Sequence, residues 1–199
     1  MKTENGCDTA LKPAPAVAGL LEGATDLSAI RNCRVLVLLD EQNLTISARR
    51  LGYRLNYRLL AGRLRSMAAT ADIHLFTDIM NKANWYVRRF KRQGYKVHLK
   101  AARYIFLADG CLQRDTNVDN LFAFWTGFFA KSPYDVIVLG SGDFGLAGEL
   151  AKAISGVAVV KRPTVMTLSL PGSTARALDA RKNGHIKANM KIGLDMLKS

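Results

Sequence analysis

Three aspartates stand where the chain leaves or approaches a predicted element of the fold. Asp40 ends the apolar run RVLVLLD, Asp143 follows the run DVIVLGSG, and Asp119 lies at the start of an apolar helix. Because sites in open α/β sheets form beyond the carboxyl ends of the strands, we expect the three carboxylates to share one crevice. Clustered carboxylates stay ionised together only around a cation or protons, and hard oxygen ligands suit Mg²⁺ or Mn²⁺.

Each acid alone also has an ordinary structural interpretation. An Asp at a strand end often caps the next helix, and Asp119 could favour a helix N-terminus. Their coincidence at one end of neighbouring strands favours a metal site for the set. Small residues around Ser141 are expected to let a phosphate or a backbone segment approach closely. The Gly-x-Gly there is only part of a dinucleotide-binding fingerprint, which makes that interpretation weak.

The elements that must position these acids alternate between strand and helix. Apolar runs bounded by acids or glycine predict strands, and apolar residues at helical spacing predict helices. This order predicts an α/β fold with a mainly parallel central sheet and helices on both faces. The predicted strands are 34–40, 71–78, 95–106, 135–142 and 157–163, and the predicted helices are 44–68, 81–94, 118–132 and 144–155.

The composition limits the class of protein and its partners. Hydrophobic residues make up 49% of the 199 residues, which argues against disorder over the whole length. The formal net charge of +13 calls for a polyanion, with nucleic acid as the first expectation and an anionic membrane surface as the rival. No apolar stretch reaches 18 residues, so no membrane span is expected. Three cysteines without a zinc-type spacing indicate free thiols in a reducing cytoplasm.

The chain is expected to divide into three parts. Residues 1–30 mix Pro, Ala and Gly without periodicity, which predicts a flexible N-terminal tail. Residues 34–165 carry the alternating elements and are expected to form the domain. Residues 166–199 are basic and contain one helical stretch, which predicts a helical extension packing on the domain.

Three short motifs resemble those of the NYN domain, a LabA-like branch of the PIN-like nuclease superfamily. DEQNL (40–44) resembles its D-x-x-N start, TNVD (116–119) its K-G-x-D segment, and GSGDF (140–144) its S-G-D-x-D-F strand end. Their order and spacing agree with that family, and the resemblance spans about residues 34–163.

The resemblance implies a PIN-like three-layer α/β/α sandwich and metal-dependent cleavage of RNA. Asp40, Asp119 and Asp143 match the catalytic, metal-binding acids, and Asn43 matches the Asn that helps to hold the first Asp and the metal. Ser141 stands where the family usually has the first acid of a pair, and Thr116 replaces the usual Lys. Asp115 and Asp78 are candidates to compensate for the missing acid.

A basic surface is predicted between Asn43 and Phe106, where fourteen Lys or Arg face only two acids. Arg50, Arg54 and Arg58 are spaced four apart, and on one helix they would share a face. The alternative is an ordinary solvated helix face. The bias in charge favours phosphate binding, in which case these arginines and Asn43 and Ser141 would contact substrate.

The first functional hypothesis is therefore a metal-dependent endoribonuclease that uses Mg²⁺ or Mn²⁺. The second is an RNA-binding protein that kept the fold and lost turnover. A phosphatase or nucleotide-binding protein is the weakest, because residue 42 is Gln where a haloacid-dehalogenase phosphatase needs Asp, and no P-loop occurs. RNA, single-stranded or structured, is the expected partner, without a membrane, and a homodimer is an assembly that the sequence allows.

Overall fold

A computed structural model describes residues 24–79, 83–101, 103–106, 112–115, 119–129, 132–142, 154, 163–173, 179–180 and 184–198. The strands within these residues are β1 (Arg34–Asp40), β2 (Arg54–Leu55), β3 (Thr70–Ile79), β4 (Lys96–Ala101), β5 (Arg103–Phe106), β6 (Leu112–Asp115), β7 (Val136–Gly140), β8 (Thr164–Ser169), β9 (Ala188–Lys191) and β10 (Leu197–Lys198). The helices are α1 (Glu41–Arg50), α2 (Tyr57–Met67), α3 (Ala83–Arg92) and α4 (Asp119–Phe129).

Six of these strands form one sheet in the order β4-β3-β1-β7-β8-β9. Every neighbouring pair is parallel, so all six carboxyl ends lie along the same edge. β3 and then β4 lie on one side of β1, and β7, β8 and β9 follow one another on its other side. The strand order therefore reverses between β1 and β7, which is where open α/β sheets have their crevice.

Both faces of the sheet are covered, as the side chains of β1 show. Val35, Val37 and Leu39 belong to a core cluster with residues of α1, α2 and α3. Leu36 and Leu38 point to the opposite face, where Phe122 of α4 completes a second cluster. A strand buried on both faces explains the uninterrupted apolar run. The predicted α/β class, with a parallel sheet between two helical layers, is confirmed.

The prediction of one helix over residues 44–68 is wrong. The chain turns between α1 and α2, where Gly52 adopts a φ of 82°, a conformation that favours glycine. Asn56 then caps α2, because its side chain accepts a hydrogen bond from the N–H of Leu59 at 3.3 Å. The leucines keep a helical spacing across this break, so the sequence pattern does not indicate the turn.

The third predicted strand, 95–106, is also divided. Its first half is β4, at the edge of the central sheet, whereas β5 leaves the sheet and pairs antiparallel with β6. β6 lies between the predicted strand 95–106 and the predicted helix 118–132, where the sequence predicts no strand. The division of the predicted strand is therefore a change of pairing partner.

Described residues on both sides of the predicted domain, 34–165, pack with it. Leu27 and Ile30 are buried in the core, and the Thr25 hydroxyl donates to Asp195 Oδ1 at 2.8 Å, so the described end of the expected tail is packed on the domain. The boundary at residue 165 falls inside β8, and β9 follows it in the same sheet. The described residues of the C-terminal region therefore complete the sheet through β8 and β9. Residues 1–23, the predicted helix 144–155 apart from Ile154, and residues 157–162 of the predicted fifth strand lie outside the described residues.

In the part of the chain that the structure describes, none of the helices combines the length and the apolar character needed to cross a lipid bilayer.

Candidate functional site

The carboxyl ends of β1 and β7 lie side by side. Leu39 is the register partner of Gly140, so Asp40 and Ser141 each follow directly on a paired residue at this edge. Asp40 is partly exposed and Ser141 is buried. We call Asp40, Asn43, Ser141 and Gly142 the strand-end crevice.

A chain of hydrogen bonds joins the two strand ends. Asp40 caps α1, because its Oδ1 accepts from the backbone N–H of Asn43 at 3.0 Å. The side-chain Oδ1 of Asn43 in turn accepts from the backbone N–H of Gly142 at 2.8 Å. The two sequence-predicted residues thus fix the end of β1, the start of α1 and the end of β7 relative to one another.

The glycines at this edge are required by close packing of the protein itself. A Cβ on Gly142 would lie 2.2 Å from the carbonyl oxygen of Ser173, and a Cβ on Gly140 would lie 2.2 Å from Cδ2 of Leu39. The sequence allowed either a phosphate or a backbone segment as the neighbour of these small residues. At Gly142 the neighbour is the backbone of the loop that follows β8.

The other predicted metal ligands are only partly described. Asp119 is the first residue of α4, as expected, but its side chain and the whole of Asp143 lie outside the described residues, as does the side chain of Asp115. Asp78 lies at the same edge, two residues beyond Phe76, the register partner of Asp40. Among the side chains that the structure does describe, no three of the His, Cys, Asp or Glu type are grouped so that they could hold a metal ion.

A buried acid that sequence analysis did not single out lies beside this crevice. Glu41 accepts hydrogen bonds from the hydroxyls of Thr45 at 2.6 Å, Tyr86 at 2.7 Å and Thr77 at 3.0 Å. Its backbone carbonyl accepts from Tyr57 Oη at 3.0 Å. Thr45 lies one helical turn from Glu41, the only local signal for this network, whereas the other donors come from distant elements.

The hydroxyl groups around Glu41 hold their protons tightly. Burial, and then the charge of Glu41, raise the pKa of Tyr57 and that of Tyr86. The charges of Arg89 and Arg49 act on Tyr86 in the opposite direction. The tyrosines therefore remain hydrogen-bond donors over the physiological range of pH. Glu41 links α1 to β3 and α3 through its carboxylate and to α2 through its backbone carbonyl.

The prediction that Arg50, Arg54 and Arg58 share one helical face is wrong, because the turn between α1 and α2 separates them. Arg50 ends α1, Arg54 lies in β2, and Arg58 lies in the first turn of α2. All three are exposed, but they contribute to different surfaces.

Arg54 lines a cavity of about 340 Å³ enclosed by α1, β2, α3 and β10. Four cations from these four elements contribute to its wall. We call this the cationic cavity, and its cations are Arg49, Arg54, Arg89 and Lys198. Glu41 and the ring of Tyr86 also line it, and among the described residues Glu41 is the only carboxylate to do so.

Arg58 lines a second depression, of about 420 Å³, between α2 and α3. We call it the arginine groove, and its cations are Arg58, Arg65, Arg89 and Arg92. Arg65 is held in place because it donates to the carbonyls of Gln93 at 3.0 Å and Gly94 at 2.7 Å. Arg89 is common to both depressions, so the positive surface is continuous from one to the other.

His74 and His98 lie on the neighbouring strands β3 and β4, beneath α4. His74 Nδ1 and His98 Nε2 are 2.8 Å apart, and the stacked rings contact Trp125. Burial, with the charges of His98 and Lys96, lowers the pKa of His74 to about 4. Burial also lowers the pKa of His98. The pair is thus neutral at physiological pH.

Comparison with known proteins supports the fold. No family model matches the chain, and no curated protein matches it. A crystal structure of a protein of unknown function from Vibrio parahaemolyticus is similar in fold, with a TM-score of 0.67 and 19% sequence identity. The match covers 84% of this chain and 98% of the Vibrio chain. At this identity the likeness extends to the architecture, and the function has to be argued from the residues.

Proposed function

We propose that the protein is a metal-dependent endoribonuclease whose chemistry takes place at the strand-end crevice. The observation that carries this proposal is the position of Asp40, at the carboxyl end of β1 and beside β7, where the strand order of the sheet reverses. Two of the three motifs that resemble the NYN domain, DEQNL and the described residues 140–142 of GSGDF, fall at this edge, which adds support.

The donor set fits a hard divalent cation. Asp40, together with Asp119 and Asp143, would hold Mg²⁺ or Mn²⁺ through carboxylate oxygens, which these ions prefer. When bound, such an ion activates a water molecule and offsets the charge that develops on a phosphoryl group. Asn43 has a positioning role, because its hydrogen bond to Gly142 fixes the end of β7 relative to Asp40. Ser141 supplies a hydroxyl in place of an acid.

The arginine groove is the proposed path of the RNA backbone. Four guanidinium groups line it, and arginine pairs with phosphate through two parallel hydrogen bonds. Contacts of this kind give affinity without reading the base sequence. Arg50 and Arg54 extend the positive surface towards α1 and β2. An RNA strand that lies along α2 and α3 would therefore also meet positive charge beyond the groove.

Cleavage of a labelled single-stranded RNA in Mg²⁺ or Mn²⁺ tests the proposal. We expect cutting that is abolished by EDTA and by Asp143→Asn or Asp40→Asn, since the amide retains the shape of the side chain and removes the charge that binds metal. Asp26→Asn is the matched control, because Asp26 is exposed and distant from the strand ends in the sequence. Cutting that survives both substitutions at the crevice would overturn the proposal.

A second candidate is an RNA-binding protein without turnover. It is favoured by the use of Asp40 Oδ1 and Asn43 Oδ1 in hydrogen bonds within the protein, and by Ser141 in place of a carboxylate. The same preparation distinguishes the two functions. Tight, salt-sensitive RNA binding with no cutting in either metal would support this candidate and exclude the nuclease. Free thiols such as that of Cys33 suit either function in a reducing cytoplasm.

A further inference from the structure

The cationic cavity carries more positive charge than the protein around it compensates. Arg49, Arg54, Arg89 and Lys198 are exposed and come from four different elements, and Glu41 is the one carboxylate among the described residues of the wall. The ion pairs that join two described residues within 4 Å are Arg34–Asp135, Arg63–Asp195 and Lys96–Asp72, and none includes any of these four cations. The described lining therefore has an excess of three positive charges around about 340 Å³.

Glu41 is a poor partner for these cations because its oxygens are already used. Oε1 accepts from Thr45 and Tyr86, and Oε2 accepts from Thr77. Because the side chain is buried, it lies behind the exposed arginines and does not form an ion pair that joins them. The nearest compensation for the arginine charges must then come from solvent ions or from a ligand.

The two strands at the mouth of the cavity place like charges opposite each other. β2 and β10 are antiparallel, and Lys198 is the register partner of Arg54. Like charges directly opposite on an antiparallel pair are destabilising. The pairing is anchored next to this position, where the N–H of Asn56 donates to the carbonyl of Met196 at 2.8 Å. The fold thus brings two cations together at a cost that an anion between them would remove.

We propose that the cationic cavity binds a terminal phosphate monoester. A monoester carries close to two negative charges at neutral pH, whereas a phosphodiester within a nucleic acid strand carries one, so the monoester matches the excess charge better. The volume is at the lower end of the range for ligand sites, about 300–1,000 Å³, and suits a phosphate with part of its sugar. Guanidinium groups from α1, β2 and α3 can each donate paired hydrogen bonds to its oxygens.

Two ligands share this chemistry. One is a free nucleoside monophosphate, and the other is the phosphorylated end of an RNA strand. The cavity and the arginine groove share Arg89, so a strand lying in the groove would have a route to the cavity. In this second form the inference depends on the proposed function, whereas binding of a free monophosphate would stand without it.

Binding measurements in EDTA, without phosphate buffer, separate these possibilities. The probes are one single-stranded RNA sequence with a 5′-phosphate, a 3′-phosphate or hydroxyls at both ends, and AMP compared with adenosine. We expect at least one phosphorylated probe to bind about tenfold or more tightly than its unphosphorylated form. Preference for AMP over adenosine would identify a free ligand, and preference confined to an RNA end would identify the strand terminus.

The variants Arg49→Gln and Arg54→Gln locate the effect. Both side chains are exposed, so either protein should fold, and each change should remove most of the preference for the phosphorylated probe. Arg88→Gln is the matched control, because Arg88 is exposed beside Arg89 on α3 and lines neither depression. No preference in any probe, or a preference that persists in both cavity variants, would overturn the inference. Since no probe is cleaved in EDTA, failure of the nuclease proposal leaves this result readable.

Discussion

The strand-end crevice and the cationic cavity both include residues of α1, but they differ in whether their polar groups have partners within the protein. In the crevice, Asp40 accepts from the Asn43 N–H, and Asn43 accepts from the Gly142 N–H. In the cavity, four cations face one carboxylate that is hydrogen-bonded elsewhere. The first region therefore contributes to the stability of the fold, whereas the second stores unfavourable electrostatic energy that a ligand can release.

This difference separates two kinds of experiment. Substitutions among buried polar groups should lower the free energy of unfolding, because they leave hydrogen-bonding partners unsatisfied. Substitutions among the exposed cations should leave that free energy nearly unchanged and alter binding instead. A buried polar substitution that altered only binding, or a cation substitution that lowered the free energy of unfolding, would show that the two regions are coupled.

The largest effect is expected for Glu41→Ala, which removes the acceptor shared by three hydroxyl groups. Thr77 would lose a buried hydrogen bond, and Thr45 and Tyr86 would each lose a partly buried one, so we expect a loss of about 3 kcal/mol in the free energy of unfolding. Urea denaturation measures it. Glu41→Gln keeps one oxygen acceptor and should cost less. A loss below about 1 kcal/mol for the alanine variant would mean that the hydroxyls find other partners.

A second effect concerns pH and the partly buried His74–His98 pair. The pKa of His74 is about 4 in the folded protein against an ordinary 6.5, so the unfolded chain binds more protons between these values. Stability should therefore be unaffected by His74 above about pH 6.5 and should fall as the pH drops towards 4, by on the order of 2 kcal/mol. Urea denaturation at a series of pH values measures the loss.

The His74 contribution is isolated by comparing variants over the same pH range. His74→Gln should flatten the decline between pH 6.5 and 4, because the group that the fold keeps neutral is gone. His98→Gln should flatten the decline in part, because burial lowers the pKa of His98 as well. Equal slopes for all three proteins would show that the pair does not restrict protonation.

The sequence predicted those parts of the fold that depend on local pattern. RVLVLLD predicts β1 to the residue, because a strand covered on both faces needs an unbroken apolar run. The alternation of elements predicts the parallel sheet, and therefore that Asp40 and Ser141 lie at the same edge. That β1 and β7 are neighbours is seen in the structure. The break between α1 and α2 was missed because leucines keep their helical spacing across Gly52.

What the sequence could not predict depends on contacts between distant segments. The partners of Glu41 lie 36 and 45 residues away, in Thr77 and Tyr86. The cationic cavity takes its fourth charge from Lys198, in a strand of two residues that no pattern marks. Local propensity carries no information on such assemblies, so the wrong grouping of Arg50 with Arg54 and Arg58 followed from spacing alone.

A smaller effect is expected at the crevice for Asn43→Ala. The substitution removes the acceptor for the Gly142 N–H, and we expect a loss of about 1 kcal/mol in the free energy of unfolding. Ile46→Ala, at an exposed position one turn along α1, is the control and should change stability by less than about 0.5 kcal/mol. An unchanged stability for Asn43→Ala would show that the link between β1 and β7 is dispensable.

The smallest effect on stability, and a large effect on binding, is expected in the arginine groove. The double variant Arg58→Gln with Arg92→Gln should change the free energy of unfolding by less than about 0.5 kcal/mol, because both side chains are exposed. If each arginine contacts one phosphate, the slope of log affinity for single-stranded RNA against log salt should fall by about 0.7 per contact. Arg88→Gln should leave the slope unchanged. A destabilised double variant, or an unaltered slope, would contradict the contrast between the two regions. In that contrast the polar groups of the crevice are hydrogen-bonded within the protein, and the exposed cations bind a ligand.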